Sequence, residues 1–449
     1  MTPSTQLQLR TAAWYGDSIV ELPIPAEWDV TIFRPPSTPT LSDEQILERL
    51  KHPVGQPPIA ELCKGKKRPL IMVDDLNRPT PTARIMPLLL TQFEQAGIAP
   101  GRVTILMGGG SHGASTREAS IHKVGAEAAA SCRFLVHQPS KNTVRVGKTS
   151  FGTPVHVNRE VMAADFVMGI GGVYPNNTGG FGGGSKIVMG VLDLRVISQL
   201  HRQHKGAGWA GDGFESAFRK DLNEIADMIG LRSLISLHIG GDRELVRMVC
   251  GDYRQYYPQE VTYAKEFFSA RKPDNADVVI SNAFPNDLSL TFVHMKGVYP
   301  LRQAASSASR IVVAACSEGE GFHGVYPIVR MPRFHEQRDR LRRITLMTPA
   351  EIVSKIAGKI AGKLGSASAK RSPAGLADAS VQSPTPAKPK NPIWLYLTRK
   401  PVRKMPSPVR GIRVMESWSE IVRQIQKEQG GRSPLRVFVY PCAPLQILN

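Results

Sequence analysis

The stretch "RPLIMVDDLNRPTP", residues 68–81, carries an unbroken apolar run into two aspartates and a proline-bounded turn. A run this short, without polar alternation, is the pattern of a strand buried on both faces. Its charged end predicts a functional loop at the strand's carboxyl edge. The next segment, "TARIMPLLLTQFEQAG" (82–97), has helical spacing and closes on a glycine. The phrase then repeats. "RVTILMGGGSHG" (102–113), "AADFVMGIGGVYP" (163–175), "NADVVISNAFPN" (275–286) and "SRIVVAACSEGEG" (309–321) are apolar runs that break into Gly, Asn or Ser. Strands alternating with helices predict an α/β fold: two domains with mainly parallel sheets and the site in the cleft between them. Ligands of such sheets sit beyond the carboxyl ends of the strands, where these polar residues fall. The expected division is 1–270, 271–364, a linker at 365–392, and 393–449. The last strand-like run, "LRVFVYP" (435–441), is expected to return and close a sheet of the N-terminal domain.

Composition narrows the class. With 449 residues, 41% hydrophobic and 21% charged, the chain is globular and long enough for two cores. No run approaches 18 apolar residues, so no membrane-spanning helix is expected. The N-terminus lacks a basic region followed by an apolar stretch, which argues against a secretory signal. The five cysteines, Cys63, Cys132, Cys250, Cys316 and Cys442, are odd in number and never spaced as CxxC. They point to free thiols in a reducing, cytoplasmic setting and away from a zinc ribbon or a disulfide framework. Of the net charge of +19, residues 351–415 alone contribute +11. Within them, "GSASAKRSPAGLADASVQSPTPAKPKNP" (365–392) has a disordered linker's composition. It reads as a solvated spacer, the alternative being an electrostatic tether to RNA or an acidic surface. Elsewhere the chain is mildly basic, which suits a small anionic substrate at least as well as nucleic acid.

Four places carry residue types suited to chemistry. Asp74, Asp75 and Arg78 follow the first strand; an arginine there offers a planar fork to a carboxylate or phosphate, or else the group is an internal ion pair. His112 lies in the "GGGSHG" turn, where a histidine serves as acid or base, or simply faces solvent. "GGFGGGSKIVMG" (179–190) brings six glycines to one amine, Lys186. It is no P-loop, because Ile187 follows the lysine where Ser or Thr is required, and no dinucleotide fingerprint. An accessible lysine in such a loop suits a Schiff base, a covalent cofactor link or a phosphate contact; a hinge with an incidental lysine is the alternative. Further on, "QLHRQH" (199–204) places His201 and His204 three apart on one helix face, as metal ligands or as a polar helix end. "FPNDLSLTFVHMKG" (284–297) adds His294 and Lys296.

Taken in order, these segments resemble the nickel-pincer lactate racemase (LarA-like) family. The resemblance runs almost end to end outside the linker. "WYGDSIVELPIPAEWDV" (14–30) is similar to the family's opening strands. "DDLNRPTP" is similar to its Asp-Asp-x-Thr-Arg-Pro-Thr-Pro motif with Asn77 in place of Thr, "GGGSHG" to its Gly-Thr-His turn, "GGFGGGSK" to its glycine-lysine loop, and "CSEGEG" to a strand-end motif. The resemblance implies a nickel ion held by pyridinium-3-thioamide-5-thiocarboxylic acid mononucleotide, linked covalently to Lys186. Gly182, Gly183 and Gly184 would pack against it, and His201 would be nickel's protein ligand, with His204 as fallback. The implied reaction is a hydride relay on a small anionic 2-hydroxy acid. His112 matches one catalytic base, Arg78 and Lys296 the residues that hold the carboxylate, and Asp75 the motif aspartate that orients its neighbours. Maturation enzymes would be the implied partners.

One position departs from the pattern. The family's second catalytic histidine stands ten residues before the lysine, and here that residue is Asn176. An amide does not exchange protons at neutral pH. Phe292-Val293 also replaces the family's usual carboxylate-contacting neighbourhood. The expectations are therefore a larger substrate such as a sugar acid, a substitute base such as His294 or Tyr174, or one-face chemistry. The alternative function is a non-racemising nucleotide- or polyanion-binding protein on the same scaffold; an unrelated lysine Schiff-base enzyme is a third reading.

Overall fold

The computed structural model describes residues 5–113, 115–211, 213, 215–325, 391–401 and 411–449. These residues belong to one compact unit. Nearly all of the 365–392 linker lies outside them.

Two six-stranded sheets organise the unit. In the first, the order is Leu245–Gly251, Leu231–Ile239, Phe166–Gly172, Pro69–Val73, Thr104–Met107 and Arg133–Val136. All pairings are parallel except that of the edge strand Leu245–Gly251. Pro69–Val73 is buried at every residue, as an apolar run with helices on both faces requires. One core, including Ile46, Leu50, Ile71 and Phe93, covers one face; another, including Met72, Val188, Leu200 and Leu222, covers the other. The chain builds outward from Pro69–Val73 through Thr104–Met107 and then reverses to Phe166–Gly172. The switch point therefore falls at the carboxyl ends of Pro69–Val73 and Phe166–Gly172, where a crevice opens. Asp74 stands there, its Oδ2 accepting the Gly172 amide at 3.2 Å.

The second sheet is wholly parallel: Ile412–Met415, Ile393–Leu397, Ser309–Ala314, Val278–Asn282, Leu435–Tyr440 and Trp28–Ile32. The C-terminal strand Leu435–Tyr440 lies between Val278–Asn282 and Trp28–Ile32, so it pairs with a strand of residues 1–270 as well as with one of 271–364. The N-terminus crosses to meet it. Trp28–Ile32 is that sheet's edge strand, and the Thr5–Thr11/Ser18–Ile24 hairpin packs Leu7, Leu9, Leu22 and Ile24 onto its core. A boundary at residue 270 thus cuts through one hydrophobic core. The buried Asp287 carboxylate holds the crossing in place, accepting the Ala12, Ala13 and Ala315 amides at 2.7, 3.2 and 3.2 Å. Among the described residues no helix is long and apolar enough to cross a membrane. All five cysteines are buried and unpaired.

Candidate active site

Loops from both sheets meet over one cavity of about 480 Å³, a size usual for small-molecule sites. Asp75, Arg78, His112, Asn176, Gly182, Gly183, Lys186, His201 and Lys296 all line it. Segments separated by more than 200 residues in sequence thus converge on one place.

The loop after Pro69–Val73 is pinned from within. Lys123 is fully buried on the helix Arg117–Val124. Its Nζ lies 2.6 Å from Asp74 and donates to the Asp75 and Arg78 carbonyls at 2.8 and 2.7 Å. Burial raises the Asp74 carboxyl and lowers the Lys123 amine, and their mutual attraction opposes both shifts. Thr80 donates to Asp74 at 2.6 Å. Asp75 accepts the Asn77 amide on Oδ1 at 2.8 Å and faces His112 Nδ1 with Oδ2 at 3.0 Å. Burial alone would raise Asp75, but His112, Arg78 and Lys123 hold it well below the usual carboxylate range. Both aspartates of the cavity are therefore matched by protein cations or a histidine. Arg78, Lys186, Lys296 and Arg302 line the same cavity and have no carboxylate within ion-pair distance among the described residues. Basic side chains thus outnumber acidic ones in the lining.

The glycine loop is held by a buried arginine. Arg219, 2% exposed, donates to the Gly183 carbonyl at 2.7 Å, to the Phe181 carbonyl, and to the Tyr257 hydroxyl at 2.6 Å; that hydroxyl donates to the Gly182 carbonyl at 2.8 Å. Gly183 and Gly184 have φ of +74° and +56°. A Cβ on Gly183 would stand 3.1 Å from Val173, and one on Gly184 3.2 Å from Tyr257. These two glycines thus serve the loop's packing on the protein as well as its approach to the cavity, and Gly184 is not part of the lining. The Lys186 amine donates to Met189 Sδ at 3.4 Å and stands 5.3 Å from the Phe218 ring centroid. Burial drives it well below the ordinary lysine range, and Arg78, Arg219 and Lys296 push the same way. These causes favour the uncharged form of the amine, which is the nucleophilic one.

The two histidines of "QLHRQH" part company. Asp193 caps their helix, Leu194–Gln203, by accepting the Arg195 amide. His204 Nε2 is tied to buried Asp221 at 2.8 Å, away from the cavity. His201 lines the cavity and donates from Nδ1 to the Ile197 carbonyl at 2.7 Å, so the lone pair of its neutral ring is on Nε2. Burial, then Lys186, lowers it to about 4. This gives a prediction. Below pH 6.5 the unfolded chain takes a proton that the folded ring refuses until about pH 4, so acid destabilises across that window. In protein prepared without cofactor-making enzymes, unfolding free energy should fall on the order of 3 kcal/mol further between pH 7 and 4 in wild type than in His201→Leu. Urea titrations at several pH values measure it.

Other expected residues are placed as follows. Lys296 is 6% exposed, its amine donating to the Pro175 carbonyl at 3.4 Å, and burial followed by Arg78 lowers it well below its ordinary range. Asn176 turns its Oδ1 to the Thr178 amide at 2.9 Å. His294 lines the cavity. Tyr174 does not: it is buried at 2% and donates to Thr80 at 3.2 Å, so the expectation of a base there is withdrawn. Sequence reasoning missed His323 and Trp209 in the lining, and the buried cations Lys123 and Arg219 behind it. His323 lay two residues past "CSEGEG" and was within reach of that motif. Single cations inside amphipathic helices carry no such signal.

The sequence profile of the lactate racemase N-terminal domain matches residues 15–210. A protein of Thermoanaerobacterium thermosaccharolyticum named lactate racemase is 26% identical over 326 residues, 70% of this chain and 76% of that one. A second lactate racemase, from Lactiplantibacillus plantarum, is 25% identical over 297 residues, 64% and 69% of the two chains. The solved lactate racemase apoprotein of Thermoanaerobacterium thermosaccharolyticum superposes with TM-score 0.65 at 19% identity, covering 99% of this chain and 100% of that one. The chain is thus similar in sequence to lactate racemases and shares the fold of one. A structure from Thermotoga maritima also shares the fold, with TM-score 0.57, 16% identity and 92% and 100% coverage.

Proposed function

We propose that this LarA-like chain is a nickel-pincer-nucleotide-dependent racemase or epimerase of a 2-hydroxy acid. The reading rests on one observation: a lysine amine that burial pushes well below its ordinary range, a histidine with its lone pair on Nε2 and basic side chains without carboxylate partners converge on one cavity. The residues fit the group. Lys186 offers a nucleophilic amine for the covalent link, and the surplus positive charge suits a phosphate and a substrate carboxylate. Among the described residues no three His, Cys, Asp or Glu side chains cluster to hold a metal. A metal here would draw most of its donors from a bound ligand, with His201 supplying the protein's donor.

When bound, the cofactor would supply a reversible hydride acceptor for the C2 hydrogen. The chain's residues do the rest. Arg78 and Lys296 hold the carboxylate. His112, steadied by Asp75, takes the hydroxyl proton on Nε2 and gives it back. The Phe292 and Trp209 rings give the lining part of its apolar surface. Asn176, which cannot act as a base, hydrogen-bonds an added hydroxyl of a larger substrate such as a sugar acid. Asn176→His is accordingly expected to raise lactate racemisation at least about tenfold. An unchanged rate counts against a base having been lost at this position.

The test of the whole reading is intact mass with metal analysis, on protein co-expressed with the cofactor-making enzymes. Wild type should carry a mononucleotide-sized adduct and nickel and epimerise a 2-hydroxy acid. Lys186→Ala should carry no adduct. An unmodified, nickel-free wild type overturns the reading.

A further inference from the structure

His323 comes from the loop that follows the second-sheet strand Ser309–Ala314, yet it sits on the first-sheet loop that carries His112. Two main-chain bonds fasten it there: Gly113 N–H to the Phe322 carbonyl at 3.2 Å and Gly324 N–H to the Ser111 carbonyl at 2.6 Å. Its ring is 5.1 Å from that of His112, with Phe292 4.8 Å from His112 and 6.3 Å from His323. It is 6% exposed and lines the cavity.

The ring's protonation follows from its hydrogen bond. The Val325 amide donates to His323 Nδ1 at 3.2 Å, so Nδ1 carries a lone pair. A charged imidazolium has none there; the ring is therefore neutral with its proton on Nε2. Burial, followed by its neighbours His112, His201 and Arg78, keeps it so by lowering it to about 2. His112 is the reverse case. With its Nδ1 given to the Asp75 carboxylate, its Nε2 is the acceptor. Two neighbouring histidines thus have opposite roles fixed by their second nitrogens.

We propose that His323 is a substrate-touching hydrogen-bond donor, giving its Nε2–H to the C2 oxygen of a 2-hydroxy acid beside His112. The assignment rests on the hydroxy-acid reading above. As the hydroxyl proton passes to His112, negative charge builds on that oxygen. A fixed donor then binds it more tightly than it bound the hydroxyl, which lowers the barrier. The same donor sets specificity. A 2-hydroxy or 2-keto oxygen has a lone pair to offer it, whereas the ammonium of a 2-amino acid presents only N–H and is rejected. Standing beside His112, His323 serves the same oxygen and does not replace a base at position 176.

The test uses two variants of the cofactor-loaded enzyme and one spectrum. His323→Phe should keep the adduct mass and nickel but lose about 10²–10³ in kcat, as removal of one such donor does. His323→Gln, which retains an N–H, should stay within about tenfold of wild type. In ¹⁵N-histidine spectra the His323 signal should be the Nε2–H tautomer and should shift on adding pyruvate. A proton on Nδ1, no response to pyruvate, wild-type kcat in His323→Phe, or equal loss in Phe and Gln overturns the assignment. Loss of the adduct from wild type itself overturns the function reading instead, and the spectrum still decides His323.

Discussion

Lys123→Met should lower the unfolding free energy by about 3–5 kcal/mol, the range for removing one partner of a buried ion pair. The cost is large because Lys123 has three partners and no exposure: the Asp74 carboxylate and the Asp75 and Arg78 carbonyls. Methionine fills the volume but leaves all three without their donor. Asp74 is then a buried carboxyl with no cation, and its folded-state pKa, already raised by burial, rises further. A raised folded value means the folded chain holds a proton that the unfolded chain has released. The deficit of Lys123→Met should therefore grow as pH rises from about 4, where unfolded aspartate titrates, toward neutrality. Adding Asp74→Asn should recover part of the loss and flatten that pH dependence. Denaturant midpoints for the three proteins at pH 5 and pH 8 measure both. A Lys123→Met protein as stable as wild type at pH 8 shows that the pair contributes nothing net.

The central strands of both sheets were legible because a parallel strand buried on two faces is an apolar run, and each run read there leads toward residues that line the cavity. Pro69–Val73, Thr104–Met107, Phe166–Gly172, Val278–Asn282 and Ser309–Ala314 all fall inside the quoted segments. The strand partners were not legible. Trp28–Ile32 and Leu435–Tyr440 are over 400 residues apart and lie side by side, and neither sequence names the other. The same limit governs the site. Asp75, His112, Lys186 and His201 stood out by residue type at strand ends and in a glycine loop. The choice between His201 and His204 needed Asp221, seventeen residues on, which takes His204 out of the cavity. Lys123 and Arg219 look like surface residues of amphipathic helices; only the carbonyls that close around them make them buried. Tyr174 erred the other way: its neighbours suggested the site, and its hydroxyl turned to Thr80.

Asp75→Asn should reduce racemisation about 10³-fold while leaving the fold, the Lys186 adduct and bound nickel in place. Asp75 Oδ1 accepts the Asn77 amide at 2.8 Å, and Oδ2 faces His112 Nδ1 at 3.0 Å. An asparagine must keep its oxygen toward the Asn77 N–H, since its NH₂ cannot accept that bond. Its NH₂ group is then turned to His112. Facing a donor, Nδ1 must present its lone pair, and the ring's proton moves to Nε2. His112 loses its basic nitrogen on the cavity side although hardly an atom has moved. The substitution also removes the charge that would stabilise His112 once protonated. Binding of a 2-keto acid should suffer much less than turnover, because Arg78 and Lys296 are untouched. The discriminating result is the split between kcat and KM. A fall in kcat with KM within a few-fold of wild type supports Asp75 as the group that sets the His112 tautomer. A variant with unchanged kcat removes His112 from proton transfer, and a variant that no longer carries the adduct gives Asp75 a role in shaping the cofactor site.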